Sequence, residues 1–356
     1  MRKHFLDNLR WGTVLLVLVY HVFYLYNSLG VPGGIGSFYP VQPWDVFMTV
    51  IYPWLMVLLF VVAGISASYA LEGQTPEAFL RSRTRKLLVP ATLGLLVYQL
   101  PVGIINLKVG GGWDLIPVPV NYLVAVLVAV GPLWFAQVLW VLSLLLVLIR
   151  RIPGTAALPE KLENIPVWGL VLLFLPVWGA SHILNVPRLS TYRFGIYGLA
   201  FFLGYLILSR EAVQRRLEKW HPVLLLLALG AGGAYTLCFR GQNFAGDGVL
   251  QHVLTNLYLW LAVLALLGCG RARWNGDNAF ARYMTRSSFG IYVVHYLIAL
   301  LLCLGLRASP LPPAADYCLA ILGVLILSPL VYEVLRRIPV IRYITFGVTK
   351  EKSHVP

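Results

Sequence analysis

Long apolar runs recur along the chain about ten times, and short polar stretches separate each run from the next. A helix needs roughly 20 residues to cross a ~30 Å hydrocarbon core, and these runs have about that length. The predicted spans lie at residues 11–29, 46–70, 87–107, 131–149, 166–184, 193–209, 221–239, 250–268, 287–306 and 315–335. The pattern predicts an all-α membrane protein with about ten transmembrane helices.

The composition agrees with this prediction, because 59% of the 356 residues are hydrophobic and only 12% are charged. Soluble globular domains have about twice that share of charged residues. The net charge of +14 is spread over short basic clusters between the apolar runs, so it indicates topology rather than nucleic-acid binding. The first run lacks a small-residue cleavage site, and we expect it to remain as the first transmembrane helix.

The basic residues also predict an orientation. If the N-terminus is cytoplasmic, a basic cluster falls in every cytoplasmic segment. Five of the 28 basic residues then fall on the opposite side: Lys108, Arg188, Arg193, Arg240 and Arg307. Cytoplasmic loops of membrane proteins carry such an excess of Lys and Arg. Both termini are therefore predicted to be cytoplasmic.

No connection between the runs is long enough for a second folded domain. We predict one polytopic membrane domain over residues 1–348 and a short cytoplasmic tail over 349–356. For residues 108–130 the sequence allows two alternatives, a re-entrant helix or an interfacial helix. The chain has no clear internal repeat, so the inverted-repeat architecture of many transporters has no support. Its four cysteines lie apart, with no histidine at metal-ligand spacing, so we expect no metal site.

A histidine in the first span is the strongest candidate for function. In "LDNLRWGTVLLVLVYH", His21 follows Arg10 by eleven residues, which is about 16 Å of helical rise and nearly a whole number of turns. Asp7 falls within about 40° of the same face. An ionisable group at the bilayer centre costs about 2.5–3.5 kcal/mol, so it usually faces a cavity or pathway. The alternative is a neutral imidazole that bonds to another helix.

Histidine suits acid–base chemistry, since its unperturbed pKa of about 6.5 lets it exchange a proton near neutral pH. His21 is thus a candidate base that activates a hydroxyl. A second histidine, His295 in "TRSSFGIYVVHYLI", is predicted to lie seven or eight residues into a helix capped by Ser287 or Ser288. That depth of about 11 Å is comparable to the depth of His21 and allows a two-histidine centre, although a packed core histidine is equally compatible.

Other candidates carry weaker signals. Four cations in "FLRSRTRKLLVP" could bind phosphate or anchor the chain to lipid head groups: Arg81, Arg83, Arg85 and Lys86. The aromatic stretch "GPLWFAQVLW" could bind an acceptor or form part of an interfacial aromatic belt. Further polar or aromatic residues in the apolar runs are candidates for lining a cavity: Asp7, Trp134, Gln137, Asn256, Ser288, Tyr292 and His295.

Three of these stretches together resemble the acyltransferase-3 family of integral membrane acyltransferases. "LDNLRWGTVLLVLVYH" is similar to the family's Asp-x-Leu-Arg opening and to its basic residue, ten residues and histidine on the first helix. "FVVAGISASYAL" resembles its F-x-x-G stretch, and "SFGIYVVHY" its late Ser-x-Gly-Ile-Tyr stretch ending in His. The nearest match to the family's Arg-x-x-Arg motif is Arg83 with Lys86, and Arg85 is a possible substitute; the histidine often found before "LWF" is Pro132 here.

The resemblance implies a ten-helix enzyme that moves an acyl group from cytoplasmic acyl-CoA to a hydroxyl of an extracytoplasmic acceptor. The expected donor is acetyl-CoA or succinyl-CoA, used as a substrate rather than held as a cofactor. The expected acceptor is a cell-envelope glycan, since the chain looks most like the single-domain, glucan-modifying subgroup. The implied location is a bacterial cytoplasmic membrane, where the protein contacts the lipid bilayer; the oligomeric state is left open.

The same resemblance implies roles for individual residues. His21 is the implied catalytic base, Arg10 its partner or a contact to the donor, and the cluster of residues 81–86 the site for the phosphates of CoA. The oxyanion donor is left open among His295, Tyr292 and Ser288. A proton-coupled transporter or flippase, with His21 as proton relay, is the alternative. Carboxylates are nearly absent from the apolar runs, which disfavours it.

Overall fold

The computed structural model describes residues 3–31, 33–154, 162–186 and 192–349. It is largely α-helical, and in this part of the chain eight helices are long and apolar enough to cross a membrane. The only regular pairing of strands that it describes joins Asn185–Val186 to Tyr192–Arg193 in antiparallel fashion. The prediction of an all-α membrane protein is confirmed.

The helices are numbered in chain order. They are α1 (His4–Leu25), α2 (Val46–Glu72), α3 (Pro76–Arg83), α4 (Val89–Gly94), α5 (Leu100–Val109), α6 (Val118–Val128), α7 (Trp134–Ile149), α8 (Val167–Leu172), α9 (Phe174–Ala180), α10 (Phe194–Leu203), α11 (Glu211–Phe239), α12 (Asp247–Leu250), α13 (Val253–Arg273), α14 (Ala279–Arg307), α15 (Pro313–Leu335) and α16 (Pro339–Phe346). Three π-helical segments continue helices: Thr84–Leu88, Leu95–Gln99 and Gly204–Leu208.

Eight of the ten predicted spans coincide with the long helices, and two fall on shorter ones. The run 166–184 forms only Val167–Ala180, interrupted at Leu173, because Pro176 has no N–H for the carbonyl of Leu172. The run 193–209 forms only Phe194–Leu208. The segment 108–130, for which the sequence allowed two kinds of helix, contains α6. The rise of α6 is about 16 Å, which is half the thickness of a hydrocarbon core.

The chain divides into two compact units, each assembled from separate stretches. The first unit comprises Met1–Thr13, Asn27–Thr75 and Leu145–Thr285. In it α2 packs closely on Phe194–Leu208, because Gly64 faces the backbone of Phe201 and Gly204 faces the backbone of Val61. A Cβ atom at either glycine would overlap the opposite carbonyl. Small residues allow this close backbone contact between membrane helices.

The second unit comprises Val14–Tyr26, Pro76–Leu144 and Arg286–Pro356. Here α5 packs on α6 through Gly103, and α16 packs on α4. The predicted single domain through residue 348 stays a prediction. Of the predicted tail, residues 350–356 lie outside the described residues.

The long span Pro76–Val109 of the second unit contains two of the π-helical segments. Each precedes a proline, Pro90 or Pro101, that lacks the N–H for a regular helical bond. After the first segment, the N–H of Val89 bonds the carbonyl of Thr84, five residues back. Such π-bulges are frequent at functional sites. The first one carries Arg85 and Lys86 of the predicted donor site.

Candidate active site

The second unit brings together the two histidines that the sequence singled out. His21 lies on α1 and His295 on α14, and Nε2 of His295 is 3.1 Å from Nδ1 of His21. The ring centroids are 4.9 Å apart. His295 is fully buried, whereas His21 is half-buried. His21 is therefore the less buried residue of the pair.

Backbone carbonyls hold both imidazoles. Nδ1 of His21 is 2.9 Å from the carbonyl oxygen of Val17, one helical turn earlier. Nδ1 of His295 is 2.5 Å from the carbonyl oxygen of Tyr292. The hydroxyl of Tyr292 donates in turn to the carbonyl of Pro132, in the turn before α7. A continuous series of hydrogen bonds therefore links His21 to a fixed backbone position.

Aromatic rings surround the accessible imidazole. The centroids of Tyr20, Tyr24 and Tyr296 lie 5.4, 6.0 and 5.0 Å from that of His21, each at a steep angle to it. Such edge-to-face contacts are favourable between aromatic rings. The sequence reasoning missed Tyr296 and Tyr24, although Tyr296 follows His295 directly and Tyr24 lies one turn after His21.

Two side chains of the second π-helical segment fasten α14 beside His295, and the sequence reasoning missed both. The hydroxyl of Tyr98 donates to the carbonyl of Val294 at 2.6 Å, and Nε2 of Gln99 donates to that of Val293 at 3.2 Å. Gln99 is fully buried, and its Oε1 has no hydrogen-bond partner among the described residues. A polar residue within the apolar run "LLVYQLPV" was the signal that could have identified it.

The predicted start of the helix that carries His295 is wrong. Ser287 and Ser288 lie buried inside α14, which begins at Ala279. The cap is Asn278, whose Oδ1 accepts from the N–H of Ala281 at 2.8 Å. A short amide side chain before the first turn satisfies a free helix N–H as well as serine does. His295 therefore lies about 24 Å along the helix rather than about 11 Å.

The predicted cavity residues near α7 have mainly packing contacts. The ring of Trp134 meets that of Phe135, whose centroid lies 6.0 Å from Tyr292. Gln137 donates to the carbonyl of Ala91 at 2.9 Å. These contacts place the start of α7 against the histidine-bearing part of α14.

Three predicted residues belong to the first unit. Arg10 donates to Oδ1 of Asp7 at 3.1 Å and to Oγ of Ser66 at 2.9 Å, so Asp7 and Arg10 do share a face of α1. Asn256 is fully buried and donates to the carbonyls of Leu250 and His252 at the start of α13. Arg10 precedes His21 by eleven residues on one uninterrupted helix, about 16 Å of rise.

The basic cluster lies at the junction of α3 with the first π-helical segment. Arg81, Arg85 and Lys86 are exposed, and the guanidinium of Arg83 stacks 5.0 Å from the ring centroid of Phe79. Exposed guanidinium and ammonium groups can bind phosphate oxygens. Among the residues described, no three His, Cys, Asp or Glu side chains approach closely enough to hold a metal ion.

Comparison with known proteins identifies the family of the chain. The family model described as an acyltransferase domain (acyltransferase-3) matches residues 3–333. Glucans biosynthesis protein C of Escherichia coli O139:H28 (strain E24377A / ETEC) is 24% identical over 383 residues, covering 100% of this chain and 98% of that protein. The proteins of the same name from Escherichia coli O157:H7 and Shigella boydii serotype 4 (strain Sb227) are 24% identical over 386 residues, with the same coverage.

No solved structure matches the chain significantly. The family match spans both compact units and includes all the stretches that carry the sequence motifs. The chain therefore belongs to the acyltransferase-3 family of membrane acyltransferases.

Proposed function

We propose that this protein transfers an acetyl or succinyl group from acyl-CoA to a hydroxyl of a cell-envelope glycan, with His21 as the general base. The observation that carries the proposal is the half-buried imidazole of His21, whose Nε2 has no hydrogen bond among the described residues. The relatives named glucans biosynthesis protein C support a glycan acceptor. The family supports acyl transfer as the reaction.

In the proposed reaction, Nε2 of His21 takes the proton of the acceptor hydroxyl as its oxygen attacks the thioester carbonyl carbon. The carbon–sulfur bond then breaks, and the departing CoA thiolate takes the proton back from the imidazolium. The products are an O-acylated glycan and CoA-SH, and the histidine is regenerated. General-base catalysis of this kind typically contributes 10²–10⁴ in rate.

We place the donor on the cytoplasmic side of a bacterial cytoplasmic membrane, with both termini on that side. The phosphates of CoA would bind Arg81, Arg83, Arg85 and Lys86, three of which are exposed. Arg10 would contact the donor or act as the partner of His21. Of the oxyanion donors considered, Tyr292 and His295 already give a proton to a carbonyl, which favours Ser288 or a residue outside the three.

The direct test is transfer by the purified protein in lipid nanodiscs. Radiolabelled acetyl-CoA or succinyl-CoA is supplied with an envelope glycan extract, and label is followed into the glycan fraction. Label in the glycan with one of the two donors is the expected result. Consumption of neither donor, together with proton-driven glycan movement across a vesicle membrane, would instead establish the transporter.

The donor site is tested by removing two exposed charges. The double variant Arg85→Gln/Lys86→Gln is expected to raise the KM for acyl-CoA by 10-fold or more, because a charge-assisted bond to phosphate is worth about 1.5–3 kcal/mol. The matched control is Arg151→Gln/Lys219→Gln, which removes two exposed cations elsewhere. An equal KM for both double variants would assign the cluster to lipid anchoring.

A further inference from the structure

Four groups of the second unit form one line of hydrogen bonds that ends at His21. The hydroxyl of Tyr292 donates to the carbonyl of Pro132, and the carbonyl of Tyr292 lies 2.5 Å from Nδ1 of His295. Nε2 of His295 lies 3.1 Å from Nδ1 of His21. Because the carbonyl partners can only accept, these contacts constrain which ring nitrogens carry protons.

The proton on His295 follows from its carbonyl partner. A carbonyl oxygen only accepts, so Nδ1 of His295 must carry the hydrogen that it donates to Tyr292. A neutral imidazole has one N–H, so Nε2 of His295 is a lone pair. A second proton is disfavoured, since His295 is fully buried and its polar contacts among the described residues are a carbonyl and another imidazole.

The proton on His21 follows in the same way. Its Nδ1 is 2.9 Å from the carbonyl oxygen of Val17 and 3.1 Å from Nε2 of His295, and both partners accept. Nδ1 of His21 therefore carries the hydrogen, and Nε2 keeps the lone pair. The nitrogen left free for a substrate is thus the basic one.

We propose that His295 is a positioning residue, which holds His21 in the tautomer with a basic Nε2 and steadies the imidazolium that forms during transfer. This inference rests on the proposed function of His21 as a base. It also assigns roles to Tyr292 and Pro132. The carbonyl of Tyr292 accepts from Nδ1 of His295, and the carbonyl of Pro132 accepts from the hydroxyl of Tyr292.

The choice of a neutral partner suits a membrane interior. In soluble triads a carboxylate orients the histidine, but an unpaired carboxylate within the bilayer is costly. An imidazole lone pair accepts the same N–H without adding a charge. Tyr296, edge-on to both rings with its centroid 5.0 Å from His21 and 6.4 Å from His295, fills the remaining space with an apolar surface.

Two substitutions separate positioning from packing. In His295→Gln the amide oxygen can accept from Nδ1 of His21, whereas His295→Leu fills a similar volume and accepts nothing. We expect His295→Leu to lower kcat by about 10- to 100-fold at an unchanged KM for acyl-CoA, the range found when the hydrogen-bond partner of a metal-ligating histidine is removed. His295→Gln should retain kcat within about threefold of the wild type.

The tautomer itself gives a readout that does not depend on activity. The protein labelled with ¹⁵N-histidine is studied by NMR in nanodiscs, and the signals of His21 are assigned by their loss in His21→Gln. The wild type and His295→Gln should show a protonated Nδ1 and an unprotonated Nε2. His295→Leu should show a mixture of tautomers or a protonated Nε2.

An unchanged tautomer and an unchanged kcat in a folded His295→Leu protein would overturn the proposal. If His295→Leu fails to fold, the test uses Tyr292→Phe, which removes only the hydroxyl bond to Pro132. This variant should lower kcat. An unchanged kcat would show that the hydrogen bonds behind His21 do not contribute to the reaction. Full activity of His21→Gln would instead refute the base and the proposed function with it. An inactive His21→Gln beside a fully active His295→Leu would refute the positioning role alone.

Discussion

The two halves of α1 both make polar contacts but differ in which hydrogen-bonding atoms those contacts leave free. In the first unit, Asn8 donates to the carbonyls of Trp274 and Gly276 and accepts from Nε1 of Trp11. Lys3, directly before α1, pairs with Glu211 at 2.5 Å. In the second unit, Nδ1 of His21 has two hydrogen-bond partners, and its Nε2 has none within the part of the chain that the structure describes.

This difference distinguishes a polar residue that stabilises the fold from one that can take part in a reaction. At the beginning of α1 the side chain of Asn8 has bonds at both its amide nitrogen and its oxygen, as expected where polar groups serve the fold. Glu211 is likewise shared between Lys3 and Arg271, which in turn binds Glu218. His21 keeps a lone pair available on a half-buried ring. The nitrogen that His21 leaves unpaired, beside the buried His295, is what the proposed base requires.

The comparison predicts that substitutions in the two halves affect different quantities. The largest effect is expected for His21→Gln, which removes the free basic nitrogen but fills a similar volume. We expect kcat to fall by 10²–10⁴, the contribution of a general base, with the thermal unfolding midpoint unchanged. Transfer is measured with labelled acyl-CoA in nanodiscs, and unfolding by a thermal scan in the same lipid.

A matched control for this substitution lies in the first unit. His221→Gln replaces another histidine whose Nδ1 also contacts a backbone carbonyl, that of Glu218 at 2.6 Å. It should keep full kcat. A His21→Gln protein as active as His221→Gln would remove the distinction between the two halves of α1.

The second effect is on stability and comes from Asn8→Ala. Asn8 is buried, and the substitution leaves two carbonyls and the indole N–H of Trp11 without their partner. Each buried group left unsatisfied costs about 1–3 kcal/mol. We expect a large fall in the free energy of unfolding, with kcat per folded molecule within twofold of the wild type. A fall in kcat at unchanged stability would contradict the role of Asn8 as an anchor.

Hydropathy predicted the membrane architecture well, because a run of apolar residues specifies burial in lipid without any knowledge of neighbours. It did not predict where the helices begin. The α14 helix begins at Ala279 because Asn278 caps it in the polar stretch "WNGDNAF", well before the apolar run that was used to place its start. The length of the helix predicted at 166–184 was overestimated, because Pro176 interrupts the helix locally.

Only part of the candidate site could be predicted from the sequence. His21 and His295 were identifiable because ionisable groups are rare in apolar runs. Their partners are the carbonyls of Val17, Tyr292 and Pro132, which every residue possesses and no sequence pattern distinguishes. Tyr296 and Gln99 were missed because only the packing of α14 shows which polar or aromatic residues approach the pair.

The smallest effect is expected where α1 packs most tightly in the first unit. Gly12 faces the indole ring of Trp274, and a Cβ atom at this position would lie 2.2 Å from the nearest ring carbon. Gly12→Ala therefore forces the ring to move, at a cost of about 1–3 kcal/mol for overpacking. The better helix propensity of alanine returns up to about 1 kcal/mol. We expect a modest net loss of stability with kcat unchanged.

The sign of this effect is checked against a glycine with open space around it. Gly233 lies exposed in the middle of α11, and a Cβ atom there would have no neighbour within 4 Å. Gly233→Ala should therefore raise the thermal unfolding midpoint, because only the propensity contribution remains. Opposite shifts for the two alanine variants would locate the cost in the contact with Trp274. Shifts of the same sign would show that this contact adjusts freely and that α1 is anchored mainly by the bonds of Asn8.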